Sequence, residues 1–134
     1  MKKQIEQVGA FHKAFGVPKM DVPEIPDAQR VKLRISLIEE ELSELKEGLE
    51  KESLIDVADA LCDIQYVLLG TVLEFGLHDK FEALFNEVHS SNMSKLDENG
   101  KAIYREDGKV MKSERYFRPD LQKILDNFAD QDKV

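Results

Sequence analysis

Two apolar stretches at helical spacing, separated by three residues, restrict this chain more than any other feature. From Ala28 to about Glu50, Val31, Ile35, Ile38, Leu42, Leu45 and Leu49 recur at intervals of three and four, which predicts a long helix with one buried stripe. Beyond Ser53, a good N-cap, Leu54, Val57, Ala58, Leu61, Ile64, Val67, Leu68 and Leu69 cover more than half the circumference of a second helix, which is therefore expected at the centre of the fold. A link of only Lys51 to Ser53 turns the two into an antiparallel pair.

The flanking sequence completes an all-α, four-helix, bundle-like reading. Ile5, Val8, Phe11 and Phe15 mark a first helix from about Lys2 to Phe15, stopped by Gly16 and Pro18. "VPKMDVPEIPD" holds three of the four prolines and reads as an extended connection, with Asp27 placed to cap the next helix. Gly76 ends the central helix, and Phe81, Leu84, Phe85 and Val88 form the apolar set of a fourth. In "DENGKAIYREDGKVMKSERYF" the dipeptides Asn99-Gly100 and Asp107-Gly108 predict a loop with hairpin character, followed by a short last helix with a frayed end. The 134 residues suit a single domain.

Composition removes several function classes. No run approaches the roughly 18 to 20 apolar residues of a membrane span, and no signal peptide is expected. The single Cys62 excludes an intramolecular disulfide framework and suits a reducing cytoplasm; beside Asp63 it reads as a small core residue. A net charge of −8 argues against nucleic acid as a partner. The charge is unevenly spread: ten acids face two bases between Ser36 and Asp63, whereas seven bases face five acids between Lys95 and Arg118.

The acids fall into rows. Glu40, Glu41 and Glu44 share one helix face, and Asp56, Asp59 and Asp63, three and four apart, make a second row on the next helix. Antiparallel pairing turns these rows toward each other. Like charges at such spacing repel by roughly 0.2 to 0.5 kcal/mol per pair even when exposed. Lys46 and Lys51 are too few to neutralise them, whereas a divalent cation collects carboxylate oxygens readily, Mg²⁺ being the natural choice and Mn²⁺ a substitute. A solvated helix face is the competing reading. Against it, aspartate is a poor helix former, and Asp59 and Asp63 interrupt an apolar helix.

"EEELSEL" followed by "DVADALCDIQYVLLG" resembles the paired EExxE and ExxD motifs of the MazG-like all-α nucleoside triphosphate pyrophosphohydrolases, a superfamily that includes dimeric dUTPases and phosphoribosyl-ATP pyrophosphohydrolases. Glu40, Glu41 and Glu44 match the first motif; Asp56 and Asp59 match the second, with aspartate at its leading glutamate. The likeness continues through "SNMSK" and "GKVMK" and, with "FHKAFG", spans most of the chain.

The resemblance implies hydrolysis of a nucleoside triphosphate between the α and β phosphates, releasing a monophosphate and pyrophosphate. Glu41, Glu44, Asp56 and Asp59 are then expected to hold Mg²⁺, with Asp63 as a further ligand or as an acceptor behind one, and Glu40 to orient or deprotonate water. Lys95, Lys109 and Lys112 are expected to neutralise the leaving pyrophosphate, with Asn92 and Tyr116 donating hydrogen bonds. His12 and Phe15 are candidates for meeting the base.

The alternative is a non-catalytic acidic helical interaction module. A di-iron carboxylate bundle is excluded because no histidine follows a glutamate by three, and "LDENGKAIYRED" does not have the ligand order of a calcium loop. A helix apolar nearly all round has more surface than one chain covers easily, so a homodimer or dimer of dimers is expected.

Overall fold

The computed structural model describes residues 1–127; the frayed end expected for the last helix lies outside them. The protein is all-α: four helices, α1 (Lys2–Phe15), α2 (Ala28–Glu50), α3 (Leu54–Glu74) and α4 (Phe81–Met93), precede a two-stranded hairpin and a short α5 (Leu121–Asp126). They are organised as two compact units, Met1–Asp79 and a second beginning at Lys80.

In the first unit the helix limits follow from local chemistry. Asp27 caps α2 by accepting a hydrogen bond from the Arg30 amide at 2.9 Å, and Ser53 caps α3 by accepting from the Asp56 amide at 3.3 Å. α2 and α3 form the hairpin required by their short link, and α1 packs on α3. The turn is tight because of Gly48. A Cβ there would lie 3.1 Å from the Val57 nitrogen and 3.2 Å from Asp56 Cβ, so a side chain at this point would push the end of α2 off the start of α3. The proline-rich segment runs extended across the far end of α3, where the Met20 and Glu24 amides donate to the Leu73 and Phe75 carbonyls.

Burial differs from the sequence expectation. α3 is buried mainly toward its C-terminus, at Leu69, Val72 and Leu73, with Ala60 the buried residue nearer its start, while Leu54 and Ile55 in its first turn are 80% and 82% exposed. On α2, Ile35, Leu42 and Leu49 are exposed, so the expected buried stripe is only partly covered within one chain. Cys62 is exposed rather than a core residue. For the residues nearer the turn the cause is that α1 meets α3 near Val8 and His12, both buried, and leaves that end of the hairpin uncovered.

In the second unit α4 is followed by strands β1 (Ile103–Tyr104) and β2 (Val110–Met111), paired antiparallel with Ile103 opposite Met111. Serine hydroxyls hold its loops. The buried Ser91 donates to the Phe117 carbonyl at 2.8 Å, and Ser113 donates to the Ser94 and Leu96 carbonyls at 3.1 and 2.7 Å.

Candidate active site

The two acidic rows do face a common space, and the register of α2 against α3 divides them. Glu41, Glu44 and Asp63 each bring one carboxylate oxygen within 4.8 Å of the others. Asp56 and Asp59 instead line a neighbouring small cavity of about 190 Å³ with Glu44, Glu47 and Lys51. Asp63, expected as an accessory ligand, thus stands at the centre of the cluster, and Glu44 is common to both groups.

Glu41 carries the electrostatic signature of the site. Its Oε2 is buried and accepts no hydrogen bond. Burial, followed by the charges of Glu44 and Asp63, a hydrogen bond shared with Glu44 and the charge of Glu40, raises its pKa from 4.5 to about 6. An orphaned carboxylate oxygen beside two more hard oxygen donors suits Mg²⁺ or Mn²⁺. Glu40 projects from the same turn of α2 and is exposed.

The cluster opens onto a cavity of about 560 Å³ whose lining includes Glu41 and Asp63 together with Phe11, Phe15 and Tyr66. The rings form a continuous wall: Phe11 stacks on Phe15 with centroids 4.3 Å apart and meets Tyr66 edge-on at 5.6 Å. Phe15 and His12, both singled out in the sequence, line this cavity. They do so differently, since Phe15 is 71% exposed and His12 only 3%. His12 Nδ1 donates to the Pro18 carbonyl at 3.0 Å, which fixes the tautomer, and burial holds its pKa below the ordinary 6.5.

Beneath His12 lies an ion-pair network that sequence reasoning missed. Glu74, 1% exposed, pairs through Oε1 with Arg30 Nη2 at 2.7 Å and through Oε2 with Arg34 Nη1 at 3.0 Å. Arg34 also donates from Nε to Thr71 Oγ1 at 3.1 Å and from Nη2 to the Val67 carbonyl at 2.7 Å. Gly70 makes room for it: a Cβ there would lie 2.4 Å from Arg34 Nη2 and 3.0 Å from His12 Nε2. The available signal was a charged residue, Arg34, beside the apolar stripe of α2, and a second, Glu74, in the last apolar turn of α3.

The remaining expected site residues belong to the second unit, where they find their partners within that unit. Lys95 Nζ donates to Asn92 Oδ1 at 2.8 Å, and Lys112 Nζ stands 4.6 Å from the Tyr116 ring centroid. Lys109 sits in the hairpin turn, its amide donating to Asp107 Oδ1 at 3.1 Å.

A helical hairpin with opposed carboxylates at the mouth of an aromatic cavity defines the class by its geometry: an all-α fold with an acidic cluster whose oxygens could hold a cation. Residues 8–92 match the model of the phosphoribosyl-ATP pyrophosphohydrolase family, and the chain belongs to that family, within the MazG-like nucleotide pyrophosphohydrolase superfamily. The match takes in both acidic rows and the whole lining of the larger cavity, and ends before Lys95, Lys109 and Lys112. The chain is also similar to an uncharacterized protein of Acanthamoeba polyphaga mimivirus, 30% identical over 129 residues, covering 93% of this chain and 49% of that protein. It therefore spans about half the length of this curated relative. Among the described residues, no helix is long and apolar enough to cross a membrane.

Proposed function

We propose that this chain is a Mg²⁺-dependent nucleoside triphosphate pyrophosphohydrolase that cleaves the α–β anhydride and releases a nucleoside monophosphate and pyrophosphate. The observation that carries the reading is the continuity of the acidic cluster with the aromatic cavity. Carboxylates suited to holding a cation against phosphate share one opening with rings suited to a base, which is the polarity of a nucleotide.

Glu41, Glu44 and Asp63 would hold Mg²⁺, with Asp56 and Asp59 supporting through the cavity they share with Glu44. When bound, the cation supplies neutralisation of phosphate charge and acidifies water. Glu40, exposed and one residue from Glu41, takes the proton of the attacking water. His12 and Phe15 flank the base. Lys95, Lys109 and Lys112 offset charge on the departing pyrophosphate, with Asn92 and Tyr116 as donors, in the same chain or a neighbouring one.

A homodimer or dimer of dimers fits the exposed Leu42, Leu49, Leu54, Ile55 and Leu61, which a second copy would cover. Light scattering after size exclusion tests this; a single-chain mass at all concentrations would refute it. The enzymatic reading is tested with a panel of nucleoside triphosphates and Mg²⁺, scoring monophosphate and pyrophosphate. Calorimetric titration of Mg²⁺ with and without a non-hydrolysable nucleotide separates the enzyme from an acidic docking module, which would give no heat in either case.

A further inference from the structure

Away from the carboxylates, the larger cavity ends in a group of polar side chains gathered over Gly70. A Cβ at that position would lie 2.4 Å from Arg34 Nη2 and 3.0 Å from His12 Nε2. Gly70 follows Asp63 by seven residues on α3, and Arg34 precedes Glu41 by seven on α2, so both helices set about 10 Å of rise between this end and the acidic cluster. Tyr66 stands between them on α3 and joins the aromatic wall. A nucleotide with its phosphates at the carboxylates and its ring on that wall therefore turns the pairing edge of its base toward His12.

Most polar atoms at this end are already engaged. Arg34 uses its three nitrogens on Thr71, Val67 and Glu74. Glu74 Oε2 meets Arg34 Nη1 as an ion pair and accepts no hydrogen bond, but Glu74 does not itself line the cavity. His12 does, although it is only 3% exposed. Because its Nδ1 donates to the Pro18 carbonyl, the neutral ring presents Nε2 as a bare acceptor, and that atom has no hydrogen-bond partner among the described residues. Burial, the largest influence, outweighs the Pro18 hydrogen bond, and the charges of Arg34 and Arg30 act against that of Glu74; the ring is thus uncharged at neutral pH. On the same lining Arg30 addresses Glu74 through Nε and Nη2 and keeps Nη1 without a hydrogen-bond partner. An acceptor and a donor face the cavity together.

We propose that His12 is a substrate-binding residue whose Nε2 accepts a hydrogen bond from an N–H on the pairing edge of the base, so that the cavity takes any base that keeps such a donor and disfavours bases whose edge nitrogens are fully alkylated. The inference rests on the nucleotide reading above and adds what the base must carry. All the common bases qualify: adenine and cytosine through an exocyclic amino group, uracil, thymine and guanine through a ring N–H. Each also has an acceptor next to that donor for Arg30 to meet. The device tells an intact edge from a blocked one, not one base from another. A base without an N–H leaves Nε2 buried and unpaired, a loss of about tenfold in affinity. A carboxylate or a further phosphate is a poorer occupant, since it would meet Nε2 lone pair to lone pair.

The test measures, by calorimetry on the full chain with Mg²⁺, the affinity for dUMP and dAMP against N3-methyl-dUMP and N6,N6-dimethyl-dAMP, which lack the donor. The wild type should bind the unmodified nucleotides about tenfold more tightly. His12→Leu removes the acceptor and should close that gap, chiefly by weakening the unmodified nucleotides, whereas a purely steric cost of the methyl groups would survive the substitution. His12→Gln can present an amide oxygen where Nε2 stands, so it should keep the gap and show that the loss in His12→Leu is not a folding defect. It also removes the titration. Between about pH 8 and pH 5.5 the wild type should lose affinity for dUMP relative to His12→Gln, as the imidazole takes up a proton and turns from acceptor to donor; protonation of phosphate and of Glu41 is common to both proteins. Equal binding of methylated and unmodified nucleotides by the wild type, or an unchanged gap in folded His12→Leu, would overturn the proposal and leave triphosphate hydrolysis standing. Failure of every nucleotide to bind would overturn the nucleotide reading along with it.

Discussion

The same two helices arrange charge in opposite ways at their two ends, against its opposite at one and against its like at the other. Where α2 begins and α3 finishes, Arg30 and Arg34 set opposite charge against Glu74, whose Oε2 meets Arg34 Nη1 as an ion pair without a hydrogen bond, beside the buried Leu69 and Leu73. Toward the turn of the hairpin, Glu41, Glu44 and Asp63 gather like charge and leave a carboxylate oxygen without a partner, while Leu49, Leu54 and Ile55 stand open to solvent. The first end is organised for stability, since breaking a buried pair strands its partners. The second gives up stability for a ligand, as sites poised for a cation do.

The sharpest way to break this contrast is to remove charge from the open end. Glu41→Gln and Asp63→Asn should each lower turnover by about 10²- to 10³-fold in a pyrophosphate-release assay. Asp56→Asn, outside the tight trio, should lose less than Asp63→Asn. Unimpaired turnover in both trio variants would remove the site assignment. Stability should move the other way for Glu41→Gln: without metal, its melting temperature should equal or exceed that of the wild type, because a repelled carboxylate is gone.

The closed end should respond in the opposite sense. Glu74→Gln leaves the buried Arg34 and the partly exposed Arg30 under-paired and should cost about 3–5 kcal/mol by urea denaturation, with no gain under any metal condition. Gly70→Ala should cost about 1–3 kcal/mol, because Arg34 is held by Val67, Thr71 and Glu74 and has no easy retreat from the added methyl.

The smallest effect is one of pH, and its two components have opposite signs. For Glu41 the folded-state pKa of about 6 exceeds the ordinary 4.5, so between those values the native, metal-free protein keeps a proton that the unfolded chain has lost, and stability falls as pH rises. His12 behaves inversely. Its pKa lies below 6.5 in the fold, so the unfolded chain takes up a proton first on acidification, and stability falls as pH drops below that value. Urea midpoints in chelator across this range should show that Glu41→Gln removes the first slope and leaves the second; an unchanged profile would sever Glu41 from the repulsive cluster.

Much of the fold could be read from local chemistry. Asp27 and Ser53 act as the caps they resemble, Gly16 and Gly76 end helices, and Gly108 turns the β1–β2 hairpin, all within a few residues of their partners. The acidic rows were visible for the same reason, as helical spacing places them without any tertiary knowledge. What escaped depends on the register between helices. Whether Asp63 or Asp56 stands opposite Glu41 turns on how far α3 slides along α2, which the close approach at Gly48 governs. Arg30 and Glu74 lie 44 positions apart, and nothing near either announces the other. The exposure of Leu42, Leu49 and Cys62 follows from where α1 stops covering the hairpin, again a property of packing rather than of sequence pattern.

The segment laced over the end of α3 is held there by main-chain groups, the Met20 and Glu24 amides reaching the Leu73 and Phe75 carbonyls. Such a strap asks little of an exposed side chain such as Glu24, and more of the half-buried Met20. Homologues are therefore free to rewrite position 24 with nearly any residue, and position 20 within the limits of its partial burial, while keeping the same path, proline excepted because it has no amide hydrogen to give. Drift in this stretch should accordingly be broad in chemistry and narrow in length.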